Sequence, residues 1–142
     1  AGNRGFNTIS KYTRADYICL ASPEIALEER SYGGNQRDMI LSVSQKLQCS
    51  NIVVTQGRSG SLCYKADEGF VQVPAFAGSV VDRVGAGDAV LSLTSLCVQQ
   101  GAPMDIVGFI GNVAGAQAVA TLGHTHSIER IPFLKHIESL LK

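Results

Sequence analysis

Gly85, Ala86, Gly87 and Asp88 have the residue types and order to handle a phosphate group. Three small residues in a row let the backbone come close to a ligand. The stretch from there to about Gln100 reads as a helix, so the small residues stand at a helix N-terminus, where N–H groups lack partners and partial positive charge gathers. Together these features make an anion cradle. Asp88 falls in the first helical turn, and spacing alone leaves two readings open. The carboxylate caps the helix and complements its dipole, or it is a base that takes a proton from a substrate hydroxyl while the N–H groups stabilise charge on a phosphoryl group in transfer. The loop is not a Walker A loop, because no Lys-Ser or Lys-Thr follows the glycines, and it is not a Gly-x-Gly-x-x-Gly fingerprint.

The elements that must position this motif can be read in order. Asp16 to Leu20 forms a short apolar run that predicts a buried strand. Pro23 suits the first turn of a helix, which Gly33-Gly34 breaks. Met39, Ile40, Val43 and Leu47 recur at helical spacing within 36–48. Asn51 to Thr55 predicts a second buried strand, with a turn over 57–60. Ser61 to Ala66 and Phe70 to Val73 predict an antiparallel hairpin with residues 67–69 at its tip. Gly101-Ala102-Pro103 ends the helix that follows the motif. Met104 to Leu122, rich in Ala, Val and Gly, predicts a tightly packed helix. A last amphipathic helix carries Ile131, Phe133, Leu134, Ile137 and Leu141. Strand, helix, strand, hairpin and helices in this order imply a layered α/β domain with the hairpin at one sheet edge.

Composition sets outer bounds. The 142 residues suffice for one domain with a core, and 45% hydrophobic against 17% charged residues is globular rather than disordered. Twelve basic residues balance twelve acidic ones, which leaves no electrostatic footprint for nucleic acid or an anionic membrane. No apolar run is long enough to span a bilayer, and no signal peptide is evident. Cys19, Cys49, Cys63 and Cys97 lie far apart without a Cys-x-x-Cys pair, so they read as buried reduced thiols of a cytoplasmic protein rather than zinc ligands. His124 and His126 have metal-ligating side chains, but they sit on a Gly-Thr loop without a third ligand and read as loop residues.

Asp82-Arg83-Val84-Gly85-Ala86-Gly87-Asp88 resembles the DTTGAGD signature of the ribokinase-like (PfkB) carbohydrate kinases, with the Gly-Ala-Gly-Asp core identical and the spacing kept. Other segments fall in the family's order. Val53-Val54-Thr55-Gln56-Gly57, followed by Gly60, resembles the strand and turn that lead into the nucleotide site. Val73-Pro74 and the run to Val81 resemble the approach strand. Asn112 to Ala116, then Thr121 to Gly123, resemble the helix beside the adenine pocket. The match runs from about Asp16 onward, and Ala1 to Asn7 is similar to the kinase portion of ADP-heptose synthase (heptose-7-phosphate kinase) relatives.

The resemblance implies a ribokinase-like layered sheet, here its C-terminal, ATP-binding part, and transfer of a phosphoryl group from ATP to a sugar or sugar phosphate. It implies Asp88 as general base and Gly85, Ala86 and Gly87 as anion hole. It places Thr55, Gly57 and Asn112 near ATP. It assigns Glu24 to the Mg2+ and phosphate network and Asp82 to a monovalent cation such as K+, with carbonyls at Val84, Val119, Leu122 and His124 as partners. The chain departs from the family at Arg83 and Val84, which replace two threonines in a manner reminiscent of 2-keto-3-deoxygluconate kinases. Val90 replaces a phenylalanine. Ala21 replaces the asparagine of the Asn-x-x-Glu motif that ends at Glu24, which leaves Glu24 open to a second reading as an ordinary first-turn acid.

Sugar recognition in this family comes from an N-terminal half with no counterpart segment here. The expectation is therefore little kinase activity from this chain by itself, and association between copies through the apolar surface that a missing half would expose. Two further classes stand beside the kinase: a non-catalytic nucleotide-binding or regulatory module, and, ranked below it, a sensor on a Rossmann-like fold, which lacks its glycine fingerprint after the first strand.

Overall fold

A computed structural model describes residues 7–120, 122 and 127–142. Its elements are β1 (Ile18–Ala21), α1 (Ser22–Glu28), α2 (Gln36–Leu47), β2 (Asn51–Thr55), β3 (Ser61–Lys65), β4 (Gly69–Val73), α3 (Ala86–Gln99), α4 (Met104–Val119) and α5 (Arg130–Leu140). The four strands form one sheet in the order β1-β2-β3-β4. β1 and β2 are parallel, and the β3–β4 hairpin continues the sheet antiparallel to its edge. The hairpin lies where the element order placed it.

Strand pleat decides which side chains meet which helices. Residues two apart share a face, and the register aligns Ile18 with Ile52 and Tyr64, and Leu20 with Val54 and Leu62. This face packs on Ile25 of α1 and on Met39, Ile40, Val43 and Leu47 of α2, the positions that helical spacing singled out. The opposite face carries Cys19, Val53, Cys63, Val71 and Val73 in the alternate phase and packs on Met104, Val107 and Phe109 of α4. The result is a helix–sheet–helix sandwich. Each fully buried Ile or Val contributes about 1.5–3 kcal/mol by leaving water.

Two close approaches set the second layer. A Cβ built on Gly108 would stand 2.7 Å from both Cys63 Sγ and Val73 Cγ2, so α4 reaches the sheet only because this position has no side chain. A Cβ on Gly111 would stand 2.8 Å from Thr94 Cγ2, which brings α3 equally near. At the start of β1, Tyr17 donates its hydroxyl hydrogen bond to Thr94 Oγ1 at 2.7 Å, tying the sheet edge to α3.

Several expectations need correction. The first strand starts at Ile18 and runs to Ala21 rather than 16–20. Val73 ends β4, and the run to Val81 is not a strand: Pro74 has no N–H for a ladder, and the Val81 N–H goes to the Val119 carbonyl at 2.7 Å. The glycine-rich helix ends at Val119, three residues short of Leu122. The last helix forms as α5 but contributes no buried residue: Ile131 is 67% exposed, and Leu141, just past its end, is 73% exposed. His124, His126, Thr121 and Gly123, and the segment 1–6, lie outside the described residues. All four cysteines are free; Cys49 and Cys63 are buried, and Cys19 and Cys97 are half-buried. Burial pushes the Cys19 thiol up to about 12 and Cys63 to about 11, which keeps both protonated and unreactive near neutrality. Among the described residues no helix is long and apolar enough to cross a membrane.

Gly108→Ala tests the α4 contact. Alanine favours a helix over glycine by about 1 kcal/mol, but overpacking against a β-branched valine in a sheet costs about 1–3 kcal/mol. The expected result is a net loss of stability in chemical denaturation. An unchanged or raised midpoint would show that the sheet yields at that point.

Candidate functional site

One rim of the sheet collects the candidate residues, and α4 shows why. Its N-terminus meets the hairpin tip, where the Met104 N–H donates to Glu68 Oε2 at 3.0 Å. Eight residues on, Asn112 has reached the other end of the hairpin: its Nδ2 donates to the Val73 carbonyl at 3.0 Å and the Pro74 carbonyl at 2.8 Å. At the C-terminal end, the Val119 carbonyl accepts from the Val81 and Asp82 N–H groups. The helix therefore runs from the hairpin tip to the rim made by the ends of β1, β2 and β4 and the start of β3, and it carries the segment before α3 to that rim. α3 packs antiparallel to it, with Thr94 and Val90 against Gly111 and Val90 again against Gly115, so the start of α3 points back to the same end. In the sheet the register puts Ala21, Thr55, Ser61 and Val73 in one row along the rim. Ligands of open α/β sheets bind at the C-terminal ends of the parallel strands, which is this rim.

At the start of α3, Gly85 is the N-cap with φ of +78°, a left-handed turn that glycine adopts without strain. Asp82 shapes the turn before it: its Oδ1 accepts from the Val84 N–H at 3.0 Å, an Asx turn. The side chain of Asp82 thus has a structural task in the loop. Among the described residues the N–H groups of Gly85, Gly87 and Asp88 have no backbone acceptor, and Gly87 and Asp88 are exposed. A Cβ on Gly87 would meet nothing within 4 Å. Packing therefore does not require glycine at 87, in contrast to 108 and 111. The motif offers unpartnered donors, the positive end of a 14-residue helix and a carboxylate in its first turn.

The other candidates divide. Thr55 ends β2, and its hydroxyl reaches the Leu20 carbonyl only at 3.4 Å, a long and weak bond. Gly57 and Gly60, at φ of +60° and +87°, shape the turn that follows. Gly60 is also fixed by space, since a Cβ there would lie 2.0 Å from the Val73 carbonyl. Glu24 Oε2 accepts from the Ala21 N–H at 2.8 Å, which is half of a capping box. The other half is missing, because the Ala21 methyl cannot accept. Asn112 is buried with its amide nitrogen used on two carbonyls, so its observed work is to tether the end of β4. The Val119 carbonyl, expected among cation ligands, already accepts two N–H groups. Among the described residues no three His, Cys, Asp or Glu gather into a metal-holding group.

Sequence reading missed the Glu68 cap on α4 and the Tyr17–Thr94 bond. Both join residues more than 30 apart, and no local spacing announces them. Burial is the main cause that pushes the Tyr17 phenol far up, so it stays a neutral donor.

A family model described as pfkB family carbohydrate kinase matches residues 8–131. The chain is 30% identical over 120 residues to the bifunctional protein HldE of Citrifermentans bemidjiense, across 82% of this chain and 25% of the relative. It is 27% identical over 135 residues to the HldE of Shewanella denitrificans, across 92% of this chain and 28% of the relative. Of the solved structures, phosphofructokinase-2 from Escherichia coli in complex with potassium matches with a TM-score of 0.78 at 19% identity, over 91% of this chain and 42% of that one. A putative ribokinase II from E. coli in complex with ATP and Mg2+ matches with a TM-score of 0.75 at 23% identity, over 88% and 40%. At these identities the solved structures establish the fold, which is ribokinase-like. The chain spans about a quarter of the length of the curated relatives it matches.

Gly87→Ala follows from the open space at that position. Helix propensity alone should raise stability by about 0.5–1 kcal/mol, read as a higher denaturation midpoint. A lower midpoint would mean that the backbone there is more confined than the geometry indicates.

Proposed function

The chain belongs to the pfkB family of carbohydrate kinases, and on that premise we propose that its rim is the phosphoryl-transfer face of an ATP-dependent kinase acting on a hydroxyl of a sugar or sugar phosphate. The observation that carries this reading is the start of α3: free N–H groups at Gly85, Gly87 and Asp88, a glycine at 87 that packing does not explain, and an exposed carboxylate beside them. Glycine there leaves room for a phosphate to reach the backbone.

In this reading the Gly85–Gly87 backbone holds oxygens of the phosphoryl group and offsets the charge that builds as it moves. Asp88 accepts the proton of the attacking hydroxyl, so that oxygen forms its new bond to phosphorus as the bond to the leaving phosphate breaks. Thr55 and the Gly57–Gly60 turn line the nucleotide side of the same rim. Asn112 serves it indirectly, by holding the end of β4. The donor set fits Mg2+, which takes one or two carboxylates together with substrate phosphates: Glu24 has one oxygen engaged with the Ala21 N–H and keeps acceptor capacity on the other. When bound, that ion supplies charge neutralisation on the phosphates. For a monovalent cation the Val119 carbonyl is a poor ligand, because both its lone pairs are engaged. No step depends on it here.

A second reading, a non-catalytic nucleotide-binding module, is favoured by one observation: Ala21 and Glu24 act as a half-formed helix cap, which needs no chemistry.

Asp88→Asn in the full gene product separates the two. A lost general base lowers turnover about 10²–10⁴-fold, with ATP affinity nearly kept. Near-normal turnover would remove Asp88 as the base. Absence of ATP binding by the unmodified protein, measured by calorimetry, would remove the kinase reading itself.

A further inference from the structure

A line of side-chain amides crosses the rim. Gln72 Nε2 donates to Gln56 Oε1 at 2.8 Å and to the Ser59 carbonyl at 3.0 Å. Gln56 Nε2 donates to Gln36 Oε1, and Gln36 Nε2 donates to Ser22 Oγ. The four side chains come from four places: β4, the residue after β2, the first turn of α2 and the first residue of α1. The two linking amides, Gln36 and Gln56, each accept with oxygen and donate with nitrogen, so the chain has a single direction and its bonds polarise one another. Gln36, Gln56 and Ser22 are half-buried, where such bonds compete less with water.

The line ends on the turn that needs help. Gly57 and Gly60 both sit at positive φ, and each glycine loses more conformational freedom on ordering than any other residue would. Its own bonds are few: Gln56 N–H to the Gly60 carbonyl at 2.7 Å, Ser59 N–H to the Gln56 carbonyl at 3.2 Å, and Gly60 N–H to the Gly57 carbonyl at 3.1 Å. Gln56 is common to the backbone turn and the amide line.

We propose that Gln56, clamped between Gln36 and Gln72, is a positioning residue that holds the Gly57–Gly60 turn in its nucleotide-receiving shape and joins it rigidly to the start of α1. The inference rests on the nucleotide reading of the rim. Gln36 touches neither the turn nor a ligand in this scheme, so it acts only through Gln56.

Gln36→Leu is the decisive variant, read in two ways. Amide hydrogen exchange in the ligand-free protein should speed up about three- to tenfold at Ser59 and Gly60, the scale of one net hydrogen bond, while Val53 and Val54 in β2 exchange as before. The dissociation constant for ATP should rise by the same factor. Gln36→Glu keeps the oxygen that receives Gln56 and should stay near the unmodified protein in both. Unchanged exchange at Ser59 and Gly60, or an equal rise throughout β2, would overturn the clamp. ATP affinity unmoved by Gln36→Leu, in a protein whose unmodified form binds ATP, would overturn its role in nucleotide binding. An unmodified protein that binds no ATP would instead overturn the nucleotide reading and with it the nucleotide part of the proposal, while the exchange data still decide whether the clamp exists.

Discussion

The contact between α4 and the sheet, where Gly108 lies against Cys63 and Val73, holds the rest of the molecule in place. A methyl group at 108 would push the helix off β3 and β4. Glu68 at the hairpin tip, Asn112 at the rim and the Val119 carbonyl beyond it all work at hydrogen-bond distance, and each distance presumes that α4 lies flush on the sheet. Gly111 and Gly115 repeat the device toward α3. One helix thus sets the position of the sheet edge, of the loop before α3, and of α3 itself.

That arrangement explains how an irregular segment can present a motif. Residues 74–85 contain no helix or strand. Their first carbonyl is held by Asn112, their Val81 and Asp82 N–H groups by Val119, and their last turn by the Asp82 carboxylate on the Val84 N–H. Buried or half-buried backbone groups must find partners somewhere, and here α4 and one Asx turn supply them.

Local features were readable from the residues. The runs around Ile18–Leu20 and Ile52–Val54 are apolar on both phases because both faces of the sheet are covered, as a parallel pair requires. Met39, Ile40, Val43 and Leu47 showed their buried side by period alone. The glycine motif was legible by type and order. What the sequence could not reveal depended on distant partners. Nothing near Asn112 in sequence announces that its amide nitrogen holds the Val73 and Pro74 carbonyls, 39 and 38 residues away. The run to Val81 had strand-like composition, yet its N–H groups found a helix carbonyl rather than a neighbouring strand. The α5 stripe has helical period, yet none of its residues is buried. Glu24 remained ambiguous for a related reason: an acid at the third helical position satisfies a cap and a catalytic motif equally, and its bond to the Ala21 N–H leaves its second oxygen uncommitted.

The start of α3 shows how stability and chemistry can share one helix without competing. Val90 and Thr94 are one turn apart and buried against α4, and Thr94 also receives Tyr17. At about 100° per residue, burying position 90 turns position 88 about 200° away, toward solvent. Asp88 is therefore exposed because Val90 is buried, and its height in the first turn is fixed by the left-handed Gly85 that begins the helix. A carboxylate placed this way contributes little to the core, so the fold does not need it to be an aspartate. The same holds for Gly87, where a methyl would fit. Gly87 and Asp88 lie side by side at the positive end of a helix, and packing fixes neither, whereas contact dictates Gly60, Gly108 and Gly111. That difference separates the residues of the motif that build the molecule, Gly85 and Val90, from the two that the fold leaves exposed and unconstrained.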